Sequence, residues 1–383
     1  MGKMSGVRVR RETVRPLVEK AVGEHKANCH RPMLDGGGVP PKDDRDDSSS
    51  RPGSARNRCG AMLFRLSLPA WLLSGSGIHF MKADLMTRFR PALLAASLFV
   101  IGFATASFAT VSPAWAAEQQ PEARAFKLGA FNLVALHDAQ FILPNDGKVF
   151  GVGVGPAAVT QVLDAAGAPT ENITLSVDAL LVKTGKEIVL IDTGIGGALQ
   201  GSLKLAHVKP ETVTDILITH AHPDHIGGLV KNGALAFANA KIRMSAAEWT
   251  WLQSETQMAD VVKVISPQVA TFEPGAEVVP GITAVDLKGH TPGHTGYEIV
   301  SGKDHLLDFG DTAHSSIISL AKPIWHISFD NDPDLGEQNR VEELAKLAKS
   351  QETIFAPHFP FPGVGKIEPQ ADHFAWKPTL SAK

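Results

Sequence analysis

Cysteine is nearly missing from this chain. There are 2 in 383 residues, Cys29 and Cys59, and both lie in the first 80. A domain built from the rest of the chain has neither disulfides nor thiolate ligands, so any metal it holds must be held by imidazole and carboxylate. A serine nucleophile on a strand-to-helix elbow is missing too, since no G-x-S-x-G occurs. Tyrosine is reduced to a single residue, Tyr297. No repeat of 20–50 residues marks a solenoid or propeller. A basic excess is also lacking: residues 1–80 carry 14 Lys+Arg against 8 Asp+Glu, and residues 81–116 carry 3 against 1. From totals of 37 and 40, that leaves 20 basic and 31 acidic residues in 117–383, a formal charge near −11. Such a surface argues against a nucleic-acid partner.

The chain divides by composition. Residues 1–80 hold runs such as Gly36-Gly37-Gly38, Asp43-Asp44-Arg45-Asp46-Asp47 and Ser48-Ser49-Ser50, with no sustained apolar period. This stretch reads as a disordered or spurious upstream extension, unable to bury enough surface to offset chain entropy. Residues 81–116 read as a secretory signal peptide: Arg88 and Arg90, a nearly continuous apolar run from Pro91 to Ala109, and the A-x-A site Ala114-Trp115-Ala116. The run approaches spanning length, so a membrane anchor is the rival reading, and the cleavage site followed by Glu118-Gln119-Gln120 favours removal. Met81 or Met86 then becomes the expected start, and the mature protein is expected to be periplasmic or secreted without a stable membrane anchor. Residues 117–383 suit one large domain. Short β-branched runs alternate with helix candidates at Pro156 to Ala166, Ala246 to Gln253 and Glu337 to Lys349, which predicts a sheet-centred, layered α/β architecture.

The densest chemistry is Thr219-His220-Ala221-His222-Pro223-Asp224-His225-Ile226-Gly227-Gly228, with three histidines and one aspartate in six positions. Imidazole and carboxylate are the usual donors to zinc and similar divalent ions. The apolar run Val213 to Ile218 ahead of it reads as a buried strand. The ligands therefore sit on a loop at a strand end, where His220 and His222 can point the same way. Three later stretches also place donors at turns or strand ends. They are Gly289-His290-Thr291-Pro292-Gly293-His294, His305 to Asp311 ending in Gly310-Asp311, and Ile354 to His358. Taken singly, each is as well read as a solvent-facing loop; four together in a cysteine-free domain point to a metal centre.

These motifs, in this order and joined by Asp192-Thr193-Gly194, resemble the metallo-β-lactamase superfamily across nearly all of residues 125–375. The resemblance implies an αββα sandwich, single domain, with two divalent metal ions at one edge, zinc foremost. It implies that His220, His222 and His294 bind one ion and Asp224, His225 and His358 the other, with Asp311 bridging. His290 and Asp192 are then expected to support the ligands from behind. Asp224, Asp311 and His314 are the expected catalytic residues of a hydrolase that attacks with a metal-bridging hydroxide. Asp311 separates the chain from the β-lactam-cleaving enzymes, which usually lack a bridging aspartate.

The segments Asp311 to His314, Ile327 to Asp332 and His358 to Gly365 are similar to the group of methyl parathion hydrolases and N-acyl homoserine lactonases. Many of those lactonases carry tyrosine where this chain has His314. The expected substrate is a small apolar lactone or ester. The alternatives are a phosphotriester, a glyoxalase II-type thioester, or metal binding without turnover. Phe359, Phe361 and Trp249 are the expected pocket aromatics, although core packing competes for each. A small-molecule substrate is the expected partner, and a homodimer is compatible with the reading.

Overall fold

The computed structural model describes residues 120–381. The expected signal peptide and the stretch before it lie outside the described residues. Among the described residues, no helix is long and apolar enough to cross a membrane.

Two seven-stranded sheets form the frame. The first contains β1 (Glu122–Leu128), β2 (Phe131–Pro144), β3 (Asn172–Lys183), β4 (Ile188–Ile191), β5 (Asp215–Leu217), β8 (Lys241–Ser245) and β9 (Val269–Phe272), in that spatial order. A separate two-stranded ribbon, β6 (Val230–Lys231) with β7 (Ala234–Leu235), precedes β8. The second sheet runs β10 (Glu277–Val279), β11 (Ile282–Asp286), β12 (Thr295–Ser301), β13 (Asp304–Asp308), β14 (Thr353–Phe355), β15 (Val364–Pro369) and β16 (Phe374–Pro378). Most pairings are antiparallel; β4, β5, β8 and β9 run parallel to one another, as do β13 and β14.

The central strands are apolar on both faces, as a sheet covered on both sides requires. The period of two sorts their side chains. Leu136, Ala179, Leu181, Leu190 and Ile216 face a core beneath the helices α2 (Leu199–Leu205), α3 (Ala246–Ser254) and α4 (Ala259–Ile265). Their neighbours Ala135, Leu180, Val182, Ile191 and Leu217 face the other sheet, where Ile282, Ile299, Leu306 and Phe355 meet them. On the far side of the second sheet, Leu307 and Ile354 pack with Leu344 and Leu347 of α5 (Pro333–Ser350). The layers are therefore helix, sheet, sheet, helix, the sandwich that the resemblance implies. A smaller cluster around Phe150, Leu163 and Ile327 anchors α1 (Pro156–Ala165). Each fully buried Leu or Phe in these cores contributes about 1.5–3 kcal/mol.

The stretch from Ala125 to Phe141 folds as the hairpin β1–β2, turning at Gly129. Helix α5 begins at Pro333, four residues before the expected start at Glu337. Asp332 caps it by accepting from the Leu335 amide at 3.1 Å, and Pro333 fills the first helical position.

Candidate metal centre

The donors collect where parallel strands end. β4 leads to Asp192, β5 to the loop 219–225, β13 to Asp311 and β14 to His358. Ligands gather at the carboxyl ends of strands in open α/β sheets because the strands stop there and their loops are free to converge.

Two groups form. In one, single donor atoms of His220, His222, His290 and Asp311 all lie within 4.8 Å of one another; in the other, those of Asp224, His225 and His358 do. Within the first group His290 Nε2 is 2.9 Å from His222 Nδ1 and 3.2 Å from His220 Nε2. Within the second, His225 Nε2 is 3.3 Å from His358 Nε2. Asp311 lies between them. Its Oδ2 is 3.3 Å from His290 Nε2 and 3.2 Å from His358 Nε2, and its Oδ1 is 3.3 Å from His225 Nε2. That Oδ1 is buried without a hydrogen-bond partner. Imidazole nitrogens that converge on one another and on a buried carboxylate, one of whose oxygens has no hydrogen-bond partner, fit divalent cation binding. Nitrogen and oxygen donors of this kind suit zinc.

One expected ligand needs correction. His290, not His294, stands with His220 and His222. The nitrogens of His294 are both spent on the protein: Nδ1 donates to the Leu287 carbonyl at 2.8 Å, and Nε2 accepts from the Asp311 amide at 2.9 Å. His294 thus holds the backbone of Asp311. Two histidines four residues apart on one turn carry no period that tells which faces inward.

The supporting residues orient the rings. Asp192 has φ 59°, a left-handed conformation uncommon for a non-glycine residue. Its carboxylate accepts from the Thr219 amide at 2.8 Å and the Thr219 hydroxyl at 2.7 Å, and lies 2.7 Å from His225 Nδ1. Gly228 lets this loop pack closely, since a Cβ there would lie 2.2 Å from the Thr193 carbonyl. His358 Nδ1 donates to the Ser176 carbonyl at 2.6 Å. Asp330, which the motifs do not single out, lies 2.9 Å from His290 Nδ1 and is itself gripped by buried Arg340 at 3.3 Å. Such partners fix the ring and raise its basicity.

Electrostatics follow burial and charge. Burial, reinforced by its histidine neighbours, holds His220 well below the ordinary value, and burial with His290 takes His222 down to about 3. Burial also lowers His290, but Asp311 and Asp330 outweigh it and hold that ring up at about 9. Burial alone would raise Asp311; the surrounding imidazoles His358, His225 and His220 reverse this and keep it well below the usual carboxylate range. The site is arranged to keep Asp311 ionised.

His314 is buried, with Nε2 3.1 Å from Asp311 Oδ2 and its ring stacked 5.5 Å from that of His358. Neither of its nitrogens has a well-aligned hydrogen bond. Asp224 is the partly open member of the centre, its side chain 21% exposed.

The expected pocket aromatics are placed elsewhere. Phe359 is fully buried in the core under α5, edge-on to Phe309 and Trp376. Trp249 packs against the core beneath α3. Phe361 packs against the inter-sheet core and meets His137 edge-on at 5.5 Å. The aromatics beside the donors are Trp251, 5.6 Å from the ring of His222, and Phe329, 5.7 Å from that of His314. Trp251, two helical positions from Trp249, is likewise half-buried against the core beneath α3 and also meets His222.

The sequence model described as "Metallo-beta-lactamase superfamily" matches residues 173–358. The solved structure of AidC, a dizinc quorum-quenching lactonase in complex with a product, superposes with a TM-score of 0.64. It is 29% identical, and the match covers 68% of this chain and 98% of that one. An N-acyl homoserine lactonase from a Bacillus species is 26% identical over 216 residues, 50% of this chain and 84% of that protein. Protein YobT of Bacillus subtilis is 29% identical over 127 residues; the match spans 30% of this chain and only 54% of YobT.

Proposed function

We propose that this chain, which carries a metal-dependent hydrolase domain of the metallo-beta-lactamase superfamily, opens lactone and ester bonds of small apolar substrates. The observation that carries the reading is Asp311, buried between two histidine groups and close to both. Divalent ions bound there supply Lewis acidity and a water made nucleophilic near neutral pH. The protein's own groups do the rest. Asp311 and the six donors around it hold the charge of the centre in place. Asp224, partly open to solvent, is placed to carry a proton toward a departing alkoxide. Trp251, and Phe329 at 38% exposure, form apolar walls beside the donors and suit an acyl or aryl group better than a charged one. The names of the lactonase relatives support the same substrate class. We propose in addition that the protein is exported after cleavage near Ala117, on the strength of residues 81–116.

The test is a turnover panel of an N-acyl homoserine lactone, an aryl ester, methyl parathion and a β-lactam, run with and without chelator. The expected order is lactone and aryl ester first, phosphotriester weaker and β-lactam barely turned over, with all activity lost on metal removal. A protein loaded with two ions that hydrolyses none of them would instead be a metal-holding protein. N-terminal sequencing of the exported protein checks cleavage; recovery of residues 1–80 would contradict it.

A further inference from the structure

Glu248 belongs to neither donor group, yet it touches the backbone of two loops that supply ligands. It is 0% exposed. One carboxylate oxygen accepts from the amide of Ala221 at 2.7 Å, the residue between His220 and His222. The other accepts from the Thr291 hydroxyl at 2.7 Å and the Gly293 amide at 3.0 Å, on the turn that starts at His290. The first loop follows β5 of one sheet and the second precedes β12 of the other. One side chain therefore spans both sheets beside the donors.

Its local setting sharpens the point. Ser245-Ala246-Ala247-Glu248 has capping-box spacing at the start of α3, and Ser245 does accept from the Glu248 amide at 3.1 Å. In a capping box the glutamate reaches back to the amide of the cap residue. Here the carboxylate is given to the two loops instead. Ser245 joins in by donating to the Gly293 carbonyl at 2.7 Å. The turn is pressed onto the helix start so closely that a Cβ on Gly293 would lie 2.2 Å from the Glu248 nitrogen. A buried carboxylate with both oxygens satisfied by three donors is a stiff connector, because losing any one bond leaves a buried polar group unpaired.

We propose that Glu248 is a positioning residue that clamps the 219–225 loop to the 289–294 turn, so that His220, His222 and His290 converge on one ion. The proposal rests on the reading that these histidines hold metal. The second group is secured by other means, Asp192 behind His225 and the Ser176 carbonyl behind His358. Glu248 therefore sets metal affinity in the first group and not in the second.

The experiment is a titration of the metal-free protein with Co²⁺ or Zn²⁺ against a competing chelator. The variant His222→Ala identifies which binding step belongs to the first group. Glu248→Gln keeps the shape but turns an N–H toward donors. It should weaken that step by about 10- to 100-fold, the usual range for a lost supporting contact. It should also shift the visible spectrum of Co²⁺ in that group and leave the other step unchanged. Thr291→Val removes one of the three bonds and should weaken the same step less; it carries the test if Glu248→Gln does not fold. Equal weakening of both steps, or an unchanged His222 step, would overturn the proposal. The titration uses no substrate, so failure to turn over lactones would count against the hydrolase reading alone.

Discussion

An imidazole has two nitrogens, and its worth as a ligand depends on what the second one does. In His225, His290 and His358 the Nδ1 atoms face Asp192, Asp330 and the Ser176 carbonyl, which leaves Nε2 for the cluster. In His294 both are committed within the protein. The two histidines of one turn should therefore behave differently. His290→Ala is expected to lose the ion shared with His220 and His222 and to lower kcat/KM by orders of magnitude. His294→Ala is expected to keep both ions at saturating metal and to weaken binding only through a looser Asp311. Metal analysis of both variants after dialysis against one buffered zinc solution separates the cases, and equal metal loss in the two would contradict the assignment. The H-x-H-x-D-H loop is readable in sequence because a strand end fixes which of its side chains converge. The H-T-P-G-H turn is not, because the contact that orients His290 comes from Asp330, forty residues away. The aromatics beside the donors are hard to read for a related reason: Trp249 and Trp251 both pack on the same core, and only the contact with His222 sets Trp251 apart.

Helix α5 shows what an element contributes at a distance. Its apolar positions pack on the second sheet, while Arg340 projects from it to Asp330, to the Pro323 carbonyl at 2.9 Å and to the Trp325 carbonyl at 3.3 Å. Burial would raise Asp330, but His290 and Arg340 overcome it and keep the carboxyl below its ordinary value. Arg340→Met would leave that charge buried with half its support, a loss of about 3–5 kcal/mol for a broken buried pair. Denaturant unfolding should show the loss, and weaker metal binding at the His290 group should accompany it; an unchanged midpoint would refute the linkage. The body of the helix was readable from Glu337 to Lys349, but its capped start at Asp332-Pro333 was not picked out, and its role was not readable either, since nothing in a periodicity says that a buried arginine serves a metal ligand's partner. Beyond its end, Glu352 is raised to about 7 by burial first and by nearby Glu298 second, against an ordinary value of 4.5. Between those values the folded protein holds more protons than the unfolded one, so stability should fall as pH rises from about 4.5 to 7 and level off above. Glu352→Gln should flatten that slope in unfolding midpoints measured across the range, and an unaltered slope would show that other groups produce it.

For the whole molecule, the layered sheet architecture was readable from alternating apolar runs, and so were the runs that became β5 and β14, which aim His220 and His358; strand order was not, because an apolar run does not say which strands flank it. Those two strands belong to different sheets. The donors from β5 and those from β13 and β14 meet only when the sheets are docked, and the inter-sheet core is what docks them. Metal should therefore bind the folded chain far better than the unfolded one. At a free concentration a thousandfold above Kd, one site adds about 4 kcal/mol, which in a domain of this size raises the melting temperature by on the order of 10 °C. Scanning calorimetry with and without chelator measures the difference, and identical melting curves would mean the ions contribute nothing to the sandwich. The seam has a further consequence. Because each half of the chain supplies only part of the donor set, cofactor uptake acts as a proofreading step on assembly. A molecule with its sheets mispaired cannot load, stays inactive and remains the easier prey for proteases. Activity per molecule would then be close to all or none, and a partly active preparation would be a mixture of complete and empty copies instead of a uniform population of impaired ones.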